Sequence, residues 1–343
     1  LRIIIDCILE VFELLHHFLT SRKIAVIAAA LCLSLLAACG SNNAAPAASS
    51  SPLASESSKP SASESPSAEP EFRTIDTVNG PIQVPAHPQR IVAEEYLGSL
   101  IALDVIPVGA PGLTLQNYYF KEALTGVADS GTYGSPSPEV ITSLNPDLII
   151  TGNKDVYSTL SKIAPTLEIP YGQLKNAHEE LTFFGKVLGK EKEAEAWLAE
   201  YDRRIAEAKA KVDAAIPADA SFSIIESTDK SIYAYGDNFG RGGQPVYQAL
   251  GRKPPAAVAD QIMEKQWAEI SAEMIGDYSG DYIVLTANGR TVEDFKKDPI
   301  WSSIPAVKND RLYVWPEERS WYYDPIAVLA QTEELAAWLT KQQ

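Results

Sequence analysis

A chain of 343 residues, 45% of them hydrophobic, is long enough for two ordinary domains. Its formal net charge of −16 argues against nucleic acid as a partner, because phosphate binding needs a basic surface. The only cysteines are Cys7, Cys32 and Cys39, so the globular part carries neither disulfides nor thiol chemistry.

Residues 1–18 are expected to be upstream sequence and no part of the fold. Arg22 and Lys23 then precede an apolar run, Ile24 to Ala38. That run is short for a membrane span, which needs about 20 residues, and it suits the apolar region of an export signal. It closes on Leu36-Ala37-Ala38-Cys39-Gly40, which resembles the lipobox of bacterial lipoproteins. The resemblance implies that residues 1–38 are removed and that Cys39 is diacylated, and two acyl chains make a stable anchor. From Ser41 to Glu71 the chain is mainly Ser, Ala, Pro and Glu, with almost no large apolar residue. Such a segment buries no core, so residues 39–71 are expected to be a lipidated, disordered tether with a reach of roughly 30 Å.

Two segments of the globular part align without a gap. They are SPEVITSLNPDLIITG, Ser137 to Gly152, and SAEMIGDYSGDYIVLT, Ser271 to Thr286. Each opens on Ser-x-Glu, passes a short apolar helix and a turn, and ends in a β-rich apolar strand buried on both faces. Ser137 and Ser271 are expected to cap their helices. RIVAEE (Arg90–Glu95) and FSIIES (Phe222–Ser227) read as the strands that open each copy, and LGSLIALDVIPVG and GGQPVYQALGRKPP as the helices that follow. Between the copies, Glu191 to Ile216 contains neither Gly nor Pro and predicts one long helix. The fold expected is α/β: two Rossmann-like lobes, residues 72–190 and 217–343, joined by a helix over 191–216, with a ligand cleft between them.

Most enzyme signatures are missing. There is no phosphate-binding GxxxxGK[ST], no HExxH and no Gly-x-Ser-x-Gly elbow. After processing only His87 and His178 remain, too few nitrogen ligands for a dedicated metal site. Glu139 and Glu273 are the one suggestive carboxylate pair, and a surface glycoside hydrolase is the enzymatic alternative. Both stand at the second position of a helix, where free N–H groups favour the anion, so permanent charge suits them better than proton transfer. Aromatic residues gather in QNYYF (with Tyr118), GTYG (with Tyr133), YAYGDNFGR (with Tyr235, Phe239 and Arg241) and SWYYDP (with Trp321 and Tyr322). Gly, Asn, Asp and Arg interrupt them, as in binding loops that face solvent.

Together these features resemble the substrate-binding lipoproteins of iron–siderophore ABC importers, from about Phe72 onward. GDNFGRGGQPVYQALG, YSGDYIVLT and WYYDP look like the ferric-hydroxamate group. The resemblance implies a non-enzymatic, monomeric receptor without a cofactor, lipid-anchored outside the cell membrane and carrying iron only within a siderophore. It implies that Arg241 donates to oxygens around the iron, that Gln244 onward forms a helix, and that Trp321 and Tyr322 belong to an aromatic wall. It further implies that Glu139 and Glu273 meet arginines on the two permease subunits. Phe239 and Tyr323 depart from the Trp and Asn frequent in hydroxamate relatives, which leaves the siderophore open. Ferric catecholate, haem and cobalamin are the alternatives on the same fold.

Overall fold

The apolar runs that end the two repeats, Leu148–Thr151 and Tyr282–Thr286, are buried at every position. Each is the second strand of a parallel trio in its own sheet. The computed structural model describes residues 71–341. The export signal, Cys39 and the tether up to residue 70 lie outside the described residues. Among those described, no helix is long and apolar enough to cross a membrane.

In chain order the strands are β1 (Phe72–Thr77), β2 (Gly80–Pro85), β3 (Ile91–Ala93), β4 (Gly109–Ala110), β5 (Ala128–Asp129), β6 (Gly131–Thr132), β7 (Ser135–Pro136), β8 (Leu148–Thr151), β9 (Thr166–Glu168), β10 (Phe222–Ser227), β11 (Ile232–Tyr235), β12 (Trp267–Ile270), β13 (Tyr282–Thr286) and β14 (Leu312–Trp315). The N-terminal sheet has the order β5-β4-β3-β8-β9 and is parallel throughout. The C-terminal sheet has the order β12-β11-β10-β13-β14. Its β10, β13 and β14 are parallel, as β3, β8 and β9 are, while β11 pairs antiparallel with both β10 and β12. The two repeats therefore occupy the same topological position in two α/β lobes. β1 and β2 form a separate antiparallel ribbon whose Ile75 and Ile82 pack on the N-terminal core.

Helix grammar explains most ends. Ser137 caps Pro138–Ser143 by accepting from the Val140 amide, and proline fits the first helical position. Ser271 does not cap: the helix after it opens as a tight 3₁₀ turn, Ala272–Met274, with no side-chain cap bond. Residues Gln244–Ala249 form a wide π-type turn, closed by Leu250 N–H donating to Pro245 C=O, where an α-helix was expected.

The helix expected over 191–216 spans Glu191–Ala215, about 38 Å at 1.5 Å per residue. Its Trp197 stacks on Tyr201, and Tyr201 packs with Ala177, Val328 and Leu329. Those partners come from the helices Ala177–Leu188 and Pro325–Leu339. The C-terminal helix is thus a second element along the long one, tied to it by a two-pronged Arg204–Glu333 pair at 2.7 and 2.6 Å.

Phe184 is fully buried, with its ring 5.2 Å from that of Tyr96. Phe184→Ala should lower stability by about 3–5 kcal/mol, the range for deleting a buried aromatic side chain. Urea denaturation measures it, and a loss below about 1 kcal/mol would mean that this core is not closely packed.

Candidate functional site

The site begins where β11 ends. Tyr235 is its last residue, and Gly236 leads into a turn that carries Phe239 and Arg241. Gly240, Arg241 and Gly242 all have left-handed φ, of 75°, 58° and 98°. For arginine that conformation costs on the order of 1 kcal/mol, so its surroundings must hold it. A Cβ on Gly240 would lie 2.3 Å from the Trp321 carbonyl oxygen, and one on Gly243 would lie 2.1 Å from that of Gly236. Glycine at these two places lets the turn fold on itself and touch the Trp321 loop. Gln244 and Gln266 brace it: Gln244 Nε2 donates to Asn238 Oδ1, and Gln266 Oε1 accepts from the Asn238 amide at 2.7 Å.

The Arg241 side chain is only 15% exposed. Its guanidinium carbon lies 4.7 Å from the Trp321 ring centre, 4.9 Å from Tyr235 and 5.5 Å from Phe239. Such contacts stabilise a cation on the ring faces. Beside them is a residue that sequence reasoning missed. Glu226, 4% exposed at the end of β10, accepts from Trp321 Nε1 at 2.8 Å and from the Tyr235 hydroxyl. Its Oε2 lies 3.5 Å from Arg241 Nε, near enough for charge pairing though not aligned for a hydrogen bond. Glu226 and Tyr235 are diagonal cross-strand neighbours in the β10–β11 pair, and that register builds the contact. Arg241 Nη1 donates to the Phe239 carbonyl at 3.2 Å, while Nη2 has no acceptor among the described residues. One side of the fork is free to meet a ligand.

The other expected residues fall into separate groups. Tyr322 and Tyr118 both pack edge-on against Tyr119, at 6.3 and 5.2 Å, and Arg319 lies 5.4 Å over Tyr118. Arg319 is paired with Glu334. Tyr133, in the N-terminal lobe, hydrogen-bonds Glu95. Tyr235 is 5% exposed, beneath Arg241, so its ring supports the site from below and does not present a surface. Glu139 and Glu273 are exposed at their helix starts. The Glu273 carboxyl is held below the usual range by its own backbone N–H and by the Ser271 hydroxyl. Tyr171 was also missed: its hydroxyl donates to the Asn238 carbonyl at 2.6 Å and its ring meets Phe239 edge-on at 5.8 Å.

Carboxyl groups on the N-terminal side are pushed toward their neutral forms. Burial raises Glu94, although Thr151 Oγ1 donates to it at 2.6 Å, and burial raises Glu95 against the Tyr133 hydroxyl. Glu180, wholly buried, is pushed up to about 8 by loss of hydration, with the Ser99 hydroxyl at 2.5 Å pulling the other way. Asp324, which caps the C-terminal helix, is pushed up to about 6 by burial.

Residues 91–319 match the periplasmic binding protein family. The chain belongs to that family. Members are solute receptors and not enzymes, so the hydrolase alternative falls, in keeping with the lowered Glu273 carboxyl. The family match takes in Arg241, Glu139 and Glu273 and stops just short of Trp321. The iron(3+)-hydroxamate-binding protein FhuD of Bacillus subtilis is 35% identical over 91% of this chain and 96% of its own length. The iron(3+)-hydroxamate-binding protein YxeB of the same organism is 34% identical over 80% of this chain and 88% of its own. Among solved structures, the FhuD protein of S. pseudintermedius superposes with a TM-score of 0.70 at 32% identity, covering 79% of this chain and 99% of that one.

The Glu180 shift gives a pH test. Unfolded, the group titrates near 4.5; folded, it stays protonated to about 8. Its contribution to stability is therefore complete below the lower value and falls away as pH rises toward the upper one. Glu180→Gln should remove that decline, so the variant gains on the parent steadily between these limits. Urea midpoints across the range decide it, and parallel profiles for the two proteins would refute the assignment.

Proposed function

We propose that this protein is an extracytoplasmic receptor that binds a ferric siderophore of the hydroxamate type and hands it to the permease of an ABC importer. The observation that carries the reading is the Arg241 fork, seated over three aromatic rings with its Nη2 free of acceptors among the described residues. A ferric trihydroxamate presents the carbonyl and N–O oxygens of its hydroxamates around the iron and an apolar periphery. Directed N–H donors and aromatic faces match both. The names of the two B. subtilis relatives agree with this class. A catecholate complex is strongly anionic and calls for a basic cluster, whereas Arg319 and Arg290 are committed to Glu334 and Asp298.

In this reading Phe239, Trp321 and Tyr322 contact the ligand from the C-terminal lobe and Tyr118 and Tyr133 from the other. Glu139 and Glu273, one exposed carboxylate in each repeat, dock on permease cations. A lipid on Cys39 holds the protein at the outer face of the membrane.

Quenching of tryptophan emission by a ferric trihydroxamate tests ligand binding. Arg241→Ala should weaken it by about 1.5–3 kcal/mol, the range for hydrogen bonds to charged groups. Binding unchanged in that variant, or no response of the parent protein to any ferric hydroxamate, overturns the assignment.

Docking separates from binding. Glu139→Ala combined with Glu273→Ala should leave affinity within a few-fold of the parent and abolish iron uptake in cells lacking the native receptor. Normal uptake would exclude docking through these residues, and lost ligand binding would place them in the ligand site.

A further inference from the structure

A cationic side chain whose task was to attract an anion would gain nothing from a buried carboxylate at its back. Arg241 has one. Glu226 lies on the sheet, its Oε2 3.5 Å from Arg241 Nε, and its other oxygen is fixed by the Trp321 indole at 2.8 Å. Placing a carboxylate there is costly unless it is paired, and no other cation lies within ion-pair distance of Glu226 among the described residues. The pair leaves Arg241 its outward N–H groups and sets an opposite charge beside its own, so together the two offer directed donors without net charge.

The structure assigns Glu226 the role of setting ligand charge: it balances and positions Arg241 so that the site accepts ferric complexes of zero or positive net charge and rejects anionic ones. This rests on the reading of the site as one for ferric complexes. The surroundings lean the same way. Arg319 is neutralised by Glu334, and Glu95, beside Tyr133, adds a carboxyl and no cation. The effect is specificity by an unfavourable term: an anionic complex meets Glu226 without an uncompensated arginine to offset it.

Glu226→Gln removes the charge, and its amide still offers an acceptor to the Trp321 indole and a donor to the Tyr235 oxygen. Three iron(III) probes are titrated by tryptophan quenching: cationic ferrioxamine B, neutral ferrichrome and anionic ferric enterobactin. In the parent the anionic complex should bind much the weakest. In Glu226→Gln the ratio of cation to anion affinity should move about tenfold toward the anion, since charge complementarity governs the choice between partners. Glu226→Asp, which keeps the charge, should retain the parental ratio even where overall affinity drops. Arg241→Gln, which leaves Glu226 unopposed, should move the ratio the opposite way and keeps the test valid should the Glu226→Gln protein not fold. Ratios within about twofold of the parent in Glu226→Gln and Arg241→Gln overturn the inference, as does an Asp variant that shifts like Gln. A parent that binds none of the three probes overturns the receptor reading itself, and this inference with it.

Discussion

The loops of the candidate site depend on one buried carboxylate. Glu226 takes the Tyr235 hydroxyl from its neighbouring strand and the Trp321 indole from a loop 95 residues away, and it faces Arg241. Removing either partner of a buried charge pair leaves the other uncompensated, at a cost of several kcal/mol. The pair therefore fixes an arginine in an otherwise unfavourable left-handed backbone and keeps two loops, distant in sequence, in register. Gly240, pressed against the Trp321 carbonyl, is the backbone side of the same constraint.

The N-terminal lobe grips those same two loops through tyrosine hydroxyls. Tyr171 donates to the carbonyl of Asn238, just before Phe239, and Tyr119 donates to the carbonyl of Arg319, two residues before Trp321, at 2.6 and 2.7 Å. Behind them the long helix and the C-terminal helix run together, joined by Arg204 and Glu333. The two backbone segments that hold the guanidinium and the indole are thus the ones tied across the lobes. Because both links end on carbonyls, they tolerate side-chain variation on the loops themselves.

Much of the fold was legible because buried parallel strands and helix starts obey short-range rules. The two repeats, the opening strands and the long helix needed only local patterning. What failed was subtler local geometry: Ser271 looks like Ser137 in sequence, yet the turn after it closes as 3₁₀, and Gln244 begins a π-type turn. The antiparallel β11–β12 excursion was not legible either, since its pairing is settled by distant partners. In the site, Arg241 was visible from its glycines. Glu226 was not, because at the end of FSIIES it reads as the polar close of an ordinary strand, and its meaning lies in Tyr235 and Trp321. Tyr171 stands in IPYGQL with nothing to mark it. The signal that could have found Glu226 is the diagonal position it takes opposite Tyr235 once FSIIES and IYAY are paired as a hairpin.

The acidity of the chain and the character of the site are separate matters. A formal charge of −16 suggests a surface that repels anions everywhere. Many of those charges lie on exposed helix faces, as with Glu200 and Glu207 around Arg203 on the long helix. Near the site Arg241 is paired with Glu226 and Arg319 with Glu334, and burial presses Glu94, Glu95 and Glu180 toward neutrality, while Asp237 accepts from Gln266 Nε2. Asp324 is engaged as a helix cap. Burial lowers the local dielectric, so any net charge left there would act more strongly than the distant surface, which salt screens. What a ligand meets is thus decided by a few matched pairs within several ångströms, and the global charge governs only its approach.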